Sequence, residues 1–314
     1  MCSSDLILKT TDGGFTWSKL PAGTGNRLTG VSFTSADTGT VIGTGGTILK
    51  TTDGGKNWIR QTSGTTADLV GVSFCDPKHG FAIGKAGNNL FLLKTSQGGN
   101  KWELHPIPSD SYLTGISFAN PGQGTVVGGS SSGTGVASLI FTTRDSGVSW
   151  NLETEVATDR FLNDVVFTGS DNGIAVGEGG TIVTTMDGGI KWIRRESGSN
   201  ASFCQIFPVD SVTWMAVGTD NRTSAGVLSR SDDHGLTWTT QSFLPAGIGS
   251  ALTGVRFLSR TTGFMVGSVK SGTASETGTG EEPLVLKTDD GGTQWAQIPA
   301  GTQGKLTGID FCTS

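Results

Sequence analysis

Six aspartates recur in one frame. Asp12, Asp53, Asp145, Asp187, Asp233 and Asp290 each stand two residues after a Ser or Thr, two before a Gly and five before a tryptophan (Trp17, Trp58, Trp150, Trp192, Trp238 and Trp295). A seventh copy, running from Thr95 to Trp102, has Gln97 in the aspartate position. Carboxylates are the groups of acid–base and glycoside chemistry, which needs two of them about 5–9.5 Å apart across the scissile bond. An active site, however, is one constellation, and equivalent carboxylates written into every repeat read as a folding device. The local physics agrees. Asp-Gly-Gly is a turn signal, because a short carboxylate accepts backbone N–H bonds and Gly takes φ > 0 at no steric cost. The β-branched run before it favours a strand, and the tryptophan after it restarts one.

A second frame, Leu-x-Gly-Val-x-Phe, marks another strand of each repeat, at 28–33, 69–74, 113–118, 162–167, 252–257 and 306–311, with an irregular copy at 203–207. Its glycines, Gly30, Gly71, Gly115, Gly254 and Gly308, are expected to face a central channel; Asp164 and Gln205 break the pattern. Asp164 is therefore the sharpest oddity. One reading makes it a channel-mouth carboxylate acting with Glu178 or Asp159, beside Arg160 and Arg222 as binding residues; the other makes it a strand-edge hydrogen bond. The histidines His79, His105 and His234 show no metal-ligand spacing, and Cys2, Cys75, Cys204 and Cys312 form no Cys-x-x-Cys, so neither metal nor cofactor is expected. The cysteines read as buried free thiols. Glycine pairs here join strand to strand, unlike phosphate cradles.

Elements must hold these residues in place. Each repeat adds a short apolar strand ending in Val/Ile-Gly, such as 40–43, 81–84, 174–177 and 264–267, and a strand leading into the Asp turn. Four short strands per repeat are the signature of a β-propeller blade, whose faces are buried only by its neighbours. The expected fold is all-β: one seven-bladed propeller domain over residues 1–314, with repeats starting near 28, 69, 113, 162, 203, 252 and 306. The last is completed by 7–20, giving a closing blade shared by both termini and three-stranded. The first and second strands should be innermost and the fourth, as at 58–61, an outer edge.

The net charge of −5 and the lack of a basic run argue against a nucleic-acid partner. No apolar stretch reaches the roughly 20 residues of a membrane helix. The longest insertions, at 128–138, 218–226 and 267–283, fall on one face, opposite the Asp turns, and mark a candidate binding face. The chain opens in mid-repeat on Met1-Cys2-Ser3-Ser4-Asp5-Leu6, which lacks the regions of a signal peptide and matches a translated sequencing-adapter end. A truncated reading frame is expected, with any export signal upstream and Cys2 incidental.

The Ser/Thr-x-Asp-x-Gly-x-x-Trp frame resembles the Asp-box (BNR) repeat of sialidases, sortilin-type receptors and certain glycosidases. The longer pattern at 28–33 and 41–58 resembles the photosystem II stability/assembly factor family. That resemblance implies a non-catalytic, extracytoplasmic propeller that binds protein, in photosynthetic members a lumenal scaffold for a membrane complex, here as a monomer. Those members carry an arginine-rich patch, whereas here only Arg194 and Arg195 are adjacent. A sialidase resemblance would imply a tyrosine nucleophile with a glutamate partner; Tyr112 is the only tyrosine and has no glutamate nearby in sequence. The alternative is a carbohydrate-binding or glycoside-hydrolysing surface propeller, with Trp214 the only tryptophan outside the Asp frame.

Overall fold

The computed structural model describes residues 6–311 except 88, 108–110, 133–134, 154–157, 244–249, 271–280 and 303–304. Cys2, Cys312, the N-terminal pentapeptide and most of the 267–283 insertion therefore lie outside the described residues. Six four-stranded antiparallel sheets follow one another, each a simple meander of consecutive strands. They form blades 1 to 6 at 28–61, 68–107, 112–152, 162–195, 202–243 and 250–297. The inner strands are Leu28–Phe33, Asp68–Phe74, Tyr112–Asn120, Leu162–Thr168, Ser202–Pro208 and Ser250–Phe257. Each of the first five packs beside the inner strand of the next blade.

The expected seventh blade is not formed. Between blades 6 and 1 lie a two-stranded hairpin, Leu6–Lys9 paired with Ser18–Pro21, and the segment 306–311, which joins no sheet. A sheet needs a ladder partner, and among the described residues none runs between 306–311 and Leu6–Lys9. The molecule thus has six blades and a seam, in place of seven blades with a three-stranded closure.

The core lies between blades. One cluster joins Ile42 and Ile48 of blade 1 to Leu69, Phe91 and Leu93 of blade 2. Another joins Ile174, Val176 and Ile182 of blade 4 to Phe203 and Ile206 of blade 5. Burial is deepest in the second and third strands, such as Gly39–Gly43 and Thr47–Thr51, and not in the first. The middle strands are flanked by a strand on each edge and a blade on each face, whereas the first borders the axis. The fourth strands, such as Ile59–Gln61, are exposed outer edges as expected.

The repeated turns behave alike. Thr51 Oγ1 accepts from Gly55 N at 2.8 Å, and Asp53 Oδ1 accepts from Asn57 N at 2.9 Å. The amide and side chain of Asn57 pull the Asp53 carboxyl down to about 2. The next hydroxyls, Thr16, Ser149 and Thr237, do the same for Asp12, Asp145 and Asp233. In blade 2 Thr95 still caps Gly99, at 3.0 Å, but Gln97 supplies no carboxylate to the amides that follow. In every blade but the fifth, whose first strand closes on Pro208, the boxed tryptophan then meets the phenylalanine that closes the first strand. Phe33–Trp58, Phe74–Trp102, Phe118–Trp150 and Phe167–Trp192 are edge-on with centroids 6.0–6.3 Å apart.

Two substitutions test this account. Gln97→Asp should raise the melting temperature. That gain is present above the ordinary carboxylate pKa and disappears as pH falls towards 2, because the fold lowers the pKa of such a carboxylate. Trp58→Ala should lower stability by about 3–5 kcal/mol in denaturant titration, the cost of deleting a large packed ring.

Candidate functional site

The candidate residues singled out by sequence lie at the inner ring and on the face opposite the Asp turns. The inner ring is built from side chains of one blade bonded to the backbone of the next. The residue after the first Leu of the frame donates to the carbonyl that opens the following inner strand. Thr29 Oγ1 reaches Leu69 O at 2.7 Å, Thr114 Oγ1 reaches Leu162 O at 2.6 Å, and Asn163 Nδ2 reaches Phe203 O at 2.8 Å. Cys204 Sγ reaches Leu252 O at 3.0 Å, and Thr253 Oγ1 reaches Leu306 O at 2.7 Å. Thr307 Oγ1 lies 3.5 Å from Leu28 O and closes the circle through the seam. Val70, exposed, is the exception.

Gly30, Gly71, Gly115 and Gly254 of the frame face the next blade and not the channel, whereas a Cβ on Gly308, at the seam, would meet nothing within 4 Å. A Cβ on Gly115 would lie 2.8 Å from Asp164 Cα, and one on Gly71 would lie 3.0 Å from Ile116. Close inter-blade approach is what these glycines permit. Asp164 and Gln205 stand in the same position and point the same way. Asp164 Oδ2 accepts from Ile206 N at 3.1 Å and Gln205 Oε1 accepts from Val255 N at 2.7 Å. Asp164 Oδ1 also accepts from Val165 N at 2.9 Å. A further tier lies two positions on, where Ser73 accepts from Phe118 N, Ser117 from Phe167 N and Asp310 Oδ2 from Phe33 N.

Asp164 is thus a clasp between blades 4 and 5. Burial pushes its carboxyl up to about 6, against the amide of Ile206 and the charge of Arg256, which act the other way. Arg256 is itself engaged, 3.2 Å from Asp310 and 5.0 Å over the Phe207 ring.

The other sequence candidates sit on the insertion face. Asp159 and Arg160 form an exposed pair at 3.6 Å. Glu178 lies in the one-turn segment Glu178–Gly180, its amide bonded to Phe161 O, and a Cβ on Gly179 would lie 3.5 Å from Arg160 Nε. Asp159, Arg160 and the Glu178 turn are therefore neighbours. Arg222 lies elsewhere on that face, in a turn closed by Asp220 Oδ1, which accepts from Arg222 N at 2.8 Å. No described contact joins Asp164 to Glu178 or Asp159. The inter-blade role of Asp164 could have been read from its strand position, by asking what a side chain meets where the other repeats tolerate only Gly. Cys75 is half-buried; Cys204 has an exposed residue surface, yet its thiol lies against Val217 O and Leu252 O and burial pushes it up to about 12, so the buried thiols expected are found in part. Among the described residues no cluster of His, Cys, Asp and Glu could hold a metal ion, and no helix is long and apolar enough to cross a membrane.

Comparison with known proteins adds a frame. The family model of the photosynthesis system II assembly factor YCF48 matches residues 1–65. No curated protein matches the sequence. Among solved structures, YCF48 from Cyanidioschyzon merolae is similar at 20% identity and a TM-score of 0.64, over 90% of this chain and 88% of that one. A YCF48 bound to a D1 peptide is similar at 17% identity and 0.61, over 93% and 84%. The GH74 xyloglucanase from Xanthomonas campestris is similar at 14% identity and 0.65, over 94% of this chain but 47% of that one. At these identities the structural likeness establishes the fold, an all-β propeller. With the repeated frame and the match at 1–65, the chain is an Asp-box propeller similar to photosystem II assembly factors.

The pH dependence of stability tests the clasp. Asp164 holds its proton more tightly folded than unfolded. Its contribution is therefore full below the ordinary carboxylate value near 4 and is lost as pH rises through about 6. Denaturant titrations between pH 4 and pH 7 should show wild type losing about 2 kcal/mol relative to Asp164→Asn. Parallel pH profiles for the two proteins would remove the clasp from the account.

Proposed function

We propose that this chain is a non-catalytic propeller that docks a polypeptide on its insertion face, outside the cytoplasm, in the manner of an assembly factor for a membrane complex. One observation carries the reading. The carboxylate that sequence singles out for chemistry, Asp164, has both oxygens engaged by backbone amides of the ring. The repeated aspartates likewise cap their own turns. Seven-position repetition has been used for architecture, and what remains open on the insertion face is charged side chains at Asp159, Arg160, Glu178 and Arg222. Such a mixed set of charges, exposed at Asp159, Arg160 and Arg222 and half-buried at Glu178, suits recognition of a peptide with complementary charges more than bond cleavage.

The similar YCF48 structure holding a D1 peptide supports a polypeptide ligand, and a photosynthetic complex is the specific form this proposal takes. The chain spans about half the length of the similar xyloglucanase, so that enzyme's activity is not carried over.

The test uses the chain as bait on membrane and soluble extracts, beside a glycan array. A retained membrane-protein complex that is lost from an Arg160→Glu/Arg222→Glu double variant, with a silent array, is the expected result. Reproducible glycan binding with no protein partner would replace this reading with the carbohydrate one.

A further inference from the structure

The side-chain bonds that join neighbouring inner strands have one gap. Thr29, Thr114, Asn163, Cys204, Thr253 and Thr307 each reach towards the carbonyl that opens the following inner strand. Val70 holds the equivalent place in blade 2, and a valine side chain has nothing to donate. By the register of the other six pairs it stands opposite Leu113 O, at the start of the inner strand of blade 3. Among the described residues that carbonyl lacks the side-chain donor its six equivalents have.

The gap coincides with the apolar spot of the insertion face. Eleven large apolar side chains are exposed among the described residues, and nine of them stand in Asp turns or fourth strands. The other two are Val70, 39% exposed, and Tyr112, 57% exposed. Tyr112 directly precedes Leu113, so both border the junction of blades 2 and 3, whose inner strands pack side by side. Lys85 of blade 2 crosses that junction and sets its Nζ 3.7 Å from the centroid of the Tyr112 ring. A ring already held by a cation loses less freedom when a partner covers it. Lys85 is in no ion pair among the described residues. Its ladder partner Asp68 instead accepts from Gly45 N, at 2.9 Å. A pre-positioned tyrosine beside an apolar neighbour is the kind of group that anchors an interface. The free ammonium beside it selects for a negative charge, and Leu113 O for a donor.

We propose that the polypeptide docked on the insertion face is anchored at the junction of blades 2 and 3. Its anchor is an acidic segment that lays an apolar side chain on Val70 and Tyr112, pairs a carboxylate with Lys85 and donates a backbone N–H to Leu113 O. This assignment rests on the docking reading above and gives it a position and a ligand chemistry.

The test selects a phage-displayed library of random linear peptides on the full chain and titrates synthetic copies of the enriched sequences. The expected sequences place Asp or Glu beside a large apolar residue. Their affinity should fall about tenfold or more on Tyr112→Ala and on Lys85→Glu, the loss typical of an interface anchor. Val70→Thr is the decisive variant, because it keeps the shape of the side chain and supplies the missing hydroxyl to Leu113 O. Its melting temperature should be unchanged or higher while peptide affinity falls, an outcome that a purely structural role would not give. Peptides whose binding survives all three changes but is lost from Arg160→Glu/Arg222→Glu would overturn this anchor and leave the docking reading standing. Failure to enrich any peptide would overturn both. A glycan-array signal that disappears with Tyr112→Ala would give the junction to a sugar and overturn the polypeptide anchor.

Discussion

The inner strands of this propeller run beside one another without a ladder between blades. Their facing carbonyls and amides must still find partners, since buried backbone polar groups left unpaired are costly. Side chains of one blade supply those partners to the next. Threonine hydroxyls, Asn163 and Cys204 donate to the opening carbonyls, while Asp164, Gln205, Ser73, Ser117 and Asp310 accept from amides. The ring is closed by hydrogen bonds that are local in space and about a whole repeat apart in sequence. Everything outward of it depends on that spacing, because the glycines of the frame fix how closely neighbouring strands approach.

Packing follows from the ring. A blade set at that distance presents its second and third strands to two neighbours at once, so hydrophobic clusters are shared by pairs of blades, or, at the ends of the series, by a blade and the seam. The Phe–Trp edge contacts then tie each first strand to the outer part of its own blade. This arrangement is cheap to repeat and tolerant of local loss. Blade 2 lacks the carboxylate of its turn, and blade 5 has Pro208 where its neighbours have the phenylalanine, yet both sheets are complete. Redundancy also explains why the repeated aspartates are poor candidates for chemistry: a residue held by its own turn in five of the six blades has its lone pairs committed.

The seam shows what happens where the ring persists and the sheet does not. Thr253, Thr307, Asp310 and Arg256 carry the inter-blade bonding across it. Phe311 and Trp17 reproduce the aromatic contact. Among the described residues no second strand lies between 306–311 and Leu6–Lys9, and apolar surface there lines a groove. Ring closure and blade completion are thus separable, one by side-chain bonds and the other by backbone pairing.

Much was legible in the chain itself. Period, strand order, Asp turns and the outer position of the fourth strands follow from repeated residue types, because turn chemistry and strand patterning act within a few residues of one another. So does the oddity of Asp164, as a carboxylate in a glycine position. What the sequence could not decide was direction and pairing. Whether the frame glycines face the channel or the next blade depends on how strands from different repeats lie against each other, and the structure turned them, with Asp164 and Gln205, towards the neighbour. The count of blades was likewise a tertiary matter. The residues at 306–311 match an inner strand by pattern and occupy its place by bonding, but a β-sheet exists only where a second backbone lies alongside, and among the described residues six four-stranded blades form, not seven.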